Sequence, residues 1–172
     1  MERFSMTDLR QVSLILGMKI TRDRSNLTLR ISQTDYTRLD QFNMKDCDPV
    51  STPSTGAEVS LDQPTDTLLD EDGVELYQSV VGSLLYRSRT TRWDISYAVL
   101  QLTRATSKPS TAHLKKAKHA LWYFKGHQQL DIVYRSGYFK LQAFADASFA
   151  NDRDKRRSTS GCIFFFSAAP TS

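Results

Sequence analysis

The chain has 172 residues, 40% of them hydrophobic and 24% charged, with a formal net charge of +4. That length can bury a core as one domain or two small ones, and the composition excludes a disordered or fibrous chain. No apolar run approaches the roughly 20 residues that span a bilayer, so no membrane partner is expected. The amino terminus lacks the basic-then-apolar pattern of a secretory signal. Cys47 and Cys162 make neither a disulfide framework nor a metal-ligand spacing, so a reducing intracellular setting, cytoplasmic or nuclear, is expected.

In chain order, Val12 to Ile20 is apolar and β-branched, and Leu27 to Ile31 alternates apolar with polar. With the polar stretch Thr21–Asn26 between them they predict a β-hairpin. Thr34 to Met44 predicts a short helix with Tyr36, Leu39 and Phe42 on one side, capped by Ser32 or Thr34. Asp48 to Asp72, rich in proline, serine, threonine and acids, predicts an extended linker of low structure, tacked down by Val59, Leu61, Leu68 and Leu69.

Three amphipathic helices follow. Glu75–Arg89 carries Tyr77, Val80, Val81, Leu84 and Leu85 at helical spacing. Asp94–Thr106, with Asp94 as N-cap, carries Ile95, Ala98, Val99 and Leu102. Thr111–Lys125, behind Pro109-Ser110, carries Leu114, Ala117, Leu121 and Phe124 and ends at Gly126-His127. The period then changes to that of strands, at Asp131–Arg135, Lys140–Ala145 and Gly161–Ser167, the last two joined by a basic turn.

Charge is unevenly placed. Asp46 to Leu76 holds nine acids and no lysine or arginine, whereas Arg87 to Lys125 holds nine bases against Asp94 alone. A surface facing phosphates has such a footprint, with Arg87, Arg89, Arg92, Lys115, Lys116, Lys118 and Lys125 as its candidate contacts. The competing reading is an ordinary solvated helical face.

Several strings resemble one family. They are Leu16-Gly17-Met18-Lys19-Ile20, Ser32-Gln33 with Tyr36, Thr52-Pro53, Tyr77 to Tyr86, Thr91-Arg92-Trp93-Asp94-Ile95 with Tyr97-Ala98-Val99, Ala120 to Gly126, Asp146-Ala147-Ser148 and Arg157 to Gly161. In this order and near this spacing the chain resembles the Pol polyprotein of copia-type retrotransposons, over nearly its whole length. The resemblance implies the end of a reverse transcriptase palm with its hairpin (1–45), an acidic linker (46–74), a helical thumb or connection region (75–127) and the start of a ribonuclease H domain (128–172). The implied fold is mixed α/β (α+β), closing on an incomplete ribonuclease H-like sheet. The intact family's activities would be RNA-directed DNA synthesis and cleavage of RNA in RNA–DNA hybrids. The implied partners are such a hybrid or other nucleic acid and the rest of a Pol polyprotein.

The departures bear on activity. No Tyr-x-Asp-Asp turn occurs, Trp93 stands where the family has proline, Asn151 stands where it has glycine, and the Tyr36–Phe42 helix is about two residues short. Hydrolysis by this type of site needs two divalent metals about 4 Å apart, and Mg2+ needs several carboxylates from different elements. By resemblance Asp146, flanked by Ala145 and Ala147 at a strand's end, would be the catalytic, metal-bridging aspartate. Asp152 and Asp154 read as turn formers or surface charges, so no productive Mg2+ binding and no catalysis by this chain alone is expected. His113, His119 and His127 do not converge on a metal, and no glycine-rich nucleotide loop is present. Phe124 is expected in the core, with Trp122 and Tyr123 open as stacking platforms.

Overall fold

The computed structural model describes residues 11–34, 42, 44, 46–56, 60–137, 139–150, 152 and 154–171. The Tyr36–Leu39 part of the expected first helix, Val59 and Asn151 lie outside them. The apolar run from Val12 does not continue as one strand. Leu16 and Gly17 both adopt positive φ, 49° and 73°, and turn the chain between strands β1 (Leu14–Ile15) and β2 (Met18–Asp23). Two residues in the left-handed region match the strand twist, which is why such turns favour glycine. A second turn, in which Leu27 takes φ 50°, leads to β3 (Thr28–Ser32).

The helical unit is built from α1 (Glu71–Thr90), α2 (Ser96–Thr103) and α3 (Thr111–Gly126). Helix α1 begins four residues before its expected start. The Asp70 carboxylate accepts the Gly73 N–H at 2.9 Å, so an acid assigned to the linker is the N-cap. Helix α3 starts behind Ser110 as expected, but its capping box uses His113 where Glu or Gln is usual. Asp94 is not an N-cap. It sits in the 3₁₀ turn Trp93–Ile95 before α2, and no side chain caps that helix.

The apolar stripes meet as their spacing predicts. Tyr77, Val80, Val81 and Leu84 of α1, Ile95, Val99 and Leu102 around α2, and Ala117, Ala120 and Leu121 of α3 form one buried cluster, joined by Met44. The Tyr77 ring is fully buried and its hydroxyl donates to the Leu102 carbonyl at 2.7 Å, closing α1 on α2. Burial pushes that phenol far above its ordinary range. The linker packs along these helices. Val50, Leu61 and Leu69 cover the cluster, the Leu69 N–H donates to the Pro109 carbonyl at 3.0 Å, and Lys125 Nζ donates to the Cys47 carbonyl at 2.5 Å. At Gly126 an added Cβ would stand 2.9 Å from Pro49 Cβ, so glycine lets the linker pass.

The strands form two antiparallel sheets, β1-β2-β3-β4 and β5-β6-β7, where β4 is Ile132–Arg135, β5 Leu141–Ser148, β6 Thr159–Phe166 and β7 Ala169–Pro170. The architecture is mixed α/β. One placement differs from expectation: β4, read as the opening of the C-terminal unit, pairs with β3 of the first hairpin, Thr28 opposite Arg135 and Ile31 opposite Ile132. Arg30 and Asp131 add an ion pair of 2.9 Å beside that pairing. The helical unit is thus inserted between two adjacent strands. The β5–β6 hairpin is exposed along most of both strands.

Replacing Tyr77 with Phe removes the hydroxyl and leaves the Leu102 carbonyl with the Ala105 N–H, at 3.2 Å, as its donor. Tyr77→Phe is expected to lower unfolding free energy by about 1 kcal/mol, read as a reduced midpoint in urea at unchanged slope.

Candidate functional site

The seven expected phosphate contacts are not one surface. Arg87 and Arg92 are 3% and 2% exposed, which corrects their assignment as surface cations. Arg87 Cζ lies 4.0 Å and Arg92 Cζ 4.6 Å from the centroid of the Phe124 ring, so both guanidiniums are held against the core residue of α3. Arg87 follows Leu84 by three residues and so continues the α1 stripe of Tyr77, Val80, Val81 and Leu84. Position outweighs charge here, because a helix face goes where its neighbours go.

Arg92 is matched by Asp94, two residues on. Its Nε and Nη2 donate to the two oxygens of Asp94 at 2.9 and 2.7 Å, and its Nη1 donates to the His127 carbonyl at 2.8 Å. The Tyr123 hydroxyl donates to the same carboxylate at 2.9 Å, and the His127 ring stacks on Tyr123 at 4.2 Å. Tyr123 is buried and engaged, so of the two expected stacking platforms only Trp122 is partly open, its edge against His119. Burial alone would raise the Asp94 pKa. The paired bonds and charge of Arg92 with the Tyr123 hydroxyl outweigh it and hold the carboxyl below its usual range.

Of the other cations, Arg89 and Lys115 are exposed and Lys118 is half-buried. Lys115 and Lys118, three residues apart, share a face of α3. Lys116 is half-buried beside a cleft between α2 and α3, and Lys125 is tied to the linker.

Asp146 lies within β5, two residues before its end rather than at its tip, opposite Gly161. Ala145, Ala147, Ser160, Gly161 and Cys162 surround it in an open, shallow groove. Among the described residues no group of three or more His, Cys, Asp or Glu is placed to hold a metal ion. A carboxylate without such neighbours does not fit a pair of divalent metals. The nearby acids are engaged: Asp152 and Asp154 bind Arg104 at 2.6 and 3.1 Å. Asp154 also accepts from the Ser60 hydroxyl and the Leu61 N–H, at 2.8 and 3.2 Å. Asp152 accepts from the N–H groups of Asp154 and Lys155, the turn role expected of it. These contacts fasten the β5–β6 tip to α2 and to the linker.

The histidines are separately employed. His119 Nε2 is 3.0 Å from the Thr52 carbonyl, His127 Nδ1 is 2.9 Å from the Tyr123 carbonyl, and His113 is in the α3 cap. Burial first, then the charge of Lys116, lowers the His113 pKa despite the opposing field of Asp154.

Comparison with known proteins finds relatives along nearly the whole chain. The chain is 36% identical over 98% of its length to the retrovirus-related Pol polyprotein from transposon TNT 1-94 of Nicotiana tabacum. It is 34% identical over 99% of its length to that from transposon RE1 of Arabidopsis thaliana. Its homologues over nearly the whole chain are retrovirus-related Pol polyproteins of copia-type transposons. An uncharacterized mitochondrial protein of Arabidopsis thaliana is 36% identical over 94% of the chain, which covers 66% of it. The chain spans only 13% and 12% of the two transposon polyproteins. No protein-family model matches it, and no solved structure does.

The Asp94 carboxylate gives a signed pH prediction. Its folded pKa is depressed, so its stabilisation is present above the ordinary carboxylate pKa and is lost as pH falls through the folded value. Asp94 is exposed on one side, so its pair with Arg92 is screened, and Asp94→Asn is expected to be about 1 kcal/mol less stable than the parent at neutral pH. That difference should shrink below about pH 4, as measured by urea unfolding across pH.

Proposed function

We propose that this chain is the stretch of a copia-type Pol polyprotein running from the end of the reverse transcriptase palm, through a helical thumb or connection region, into the start of ribonuclease H. In this reading it binds an RNA–DNA hybrid without cutting it. The observation that carries the reading is the collinear kinship to transposon Pol polyproteins over nearly the whole chain. Exposed Lys115 and half-buried Lys118 on one face of α3 support hybrid binding, with Arg89 as a further surface cation. Such side chains meet backbone phosphates and hold a duplex without reading its sequence. The β5-β6-β7 sheet is the opening of a ribonuclease H-like sheet, and Asp146 is the family's metal aspartate. Mg2+ in the intact site would polarise the scissile phosphate; here the other carboxylates would have to come from elsewhere.

One observation favours a second reading, a relic that binds nothing. Phe149 is 92% exposed, Phe139 78%, Leu141 67% and Phe144 59%. Exposure on that scale marks a surface built for further protein or a unit that folds poorly alone.

Binding to a labelled RNA–DNA hybrid, measured across salt, separates the two. Affinity is expected to fall as salt rises, and Lys115→Glu with Lys118→Glu should weaken it about tenfold and flatten the salt slope by about two. Salt-independent binding, or none at low salt, removes the hybrid-binding reading. With Mg2+ or Mn2+ the hybrid should stay intact; cleavage that disappears in Asp146→Asn would show a working nuclease.

A further inference from the structure

One face of the β5–β6 hairpin has no part in hybrid binding. Directly opposite residues of an antiparallel pair point to the same side. The register therefore sets Leu141 beside Phe166, Ala143 beside Phe164 and Ala145 beside Cys162 on that face. Asp146 alternates to the other side, so these six residues carry no charge. Every residue of β5 is exposed, and so is Cys162. Leu141 is 67% exposed, Phe166 39% and Phe164 37%. Ile163 and Phe165, which alternate to the side of Asp146, are half-buried.

The face is uneven in a regular way. Ala143 and Ala145 make a trough along β5, and Phe164 and Phe166 make a ridge along β6, about 5 Å away. A trough and a ridge running side by side complement each other across a two-fold axis parallel to the strands. Turned about that axis, a second copy lays its ridge in the first copy's trough and receives the first copy's ridge in its own. Ala143 and Phe164 are at the same level of the ladder, so Phe164 of each copy meets Ala143 of the other. Such an isologous contact needs a self-complementary patch, and with no charge on the face no like charges meet. Phe139, its ring centroid 6.1 Å from that of Phe166, extends the patch. The four large side chains and the alanines expose on the order of 600 Å² per copy, which two copies double to the lower end of a specific interface.

We propose that this chain pairs with a second copy of itself, sheet against sheet, through the Ala143–Phe164 face of the hairpin. The pairing is independent of hybrid binding, which would use α3, and of Asp146, which is on the opposite side of the hairpin.

Sedimentation velocity of the full chain, from about 1 to 100 μM, tests it. A two-copy species that dissociates on dilution is expected. Ala143→Phe fills the trough and should weaken pairing about tenfold or more. Adding Phe164→Ala to it exchanges ridge and trough, and should return affinity to within about threefold of the parent. Both positions are exposed in the single chain, so neither substitution disturbs the core. Cys162 reports the same face without any substitution: its alkylation by a maleimide should slow several-fold as pairing saturates. A monomer throughout the range overturns the proposal, as do assemblies larger than two. So does pairing indifferent to Ala143→Phe, a double variant no better than the single one, or a Cys162 that reacts at one rate at all concentrations.

Discussion

Burying a guanidinium is unfavourable unless its charge is matched and its donors are used, and this fold buries two against one ring. Phe124 presents its face to Arg87 from α1 and to Arg92 from the turn after α1. Arg92 in turn fixes Asp94, Tyr123 and the His127 carbonyl. Both ends of α3 are thereby held: the capping box sets the first turn, and the arginine–carboxylate cluster holds the last. The apolar cluster around Tyr77 and Ile95 fills the space between. The helical unit depends on this arrangement because the contact occurs where α1, the Arg92–Asp94 turn and α3 come together.

The same contact explains why charge density was a poor guide to the surface. Nine bases between Arg87 and Lys125 suggested a basic face, yet Arg87 and Arg92 are structural, Lys125 secures the linker, and Arg104 anchors the β5–β6 tip through Asp152 and Asp154. Lys115, Lys118 and Arg89 retain the character of the original expectation. Counting charge along a chain registers how many cations are near one another, not which way the helix turns them.

Local features were legible where the physics is local. The helical stripes, the Ser110 cap, the core position of Phe124 and the turn roles of Asp152 follow from spacing and side-chain chemistry, and all appear in the structure. Leu16-Gly17 was hidden inside an apolar run, because a turn of two residues leaves the composition of its strands unbroken. The Arg92–Asp94–Tyr123 cluster was hidden for another reason: Tyr123 is 29 residues from Asp94, and no periodicity links them. Arg87 was readable in retrospect, since it falls on the α1 stripe, but its charge argued the other way.

The pairing of β3 with β4 has a consequence for how the chain folds. Ile31 and Ile132 meet across about a hundred residues of intervening sequence, so that ladder has high contact order and must await a large loop closure. The helices, whose contacts are nearer in sequence, can assemble first and bring the two strand ends together. During synthesis β3 therefore presents a bare edge until β4 emerges, and excision of the helical insert would shorten the loop whose closure that pairing awaits.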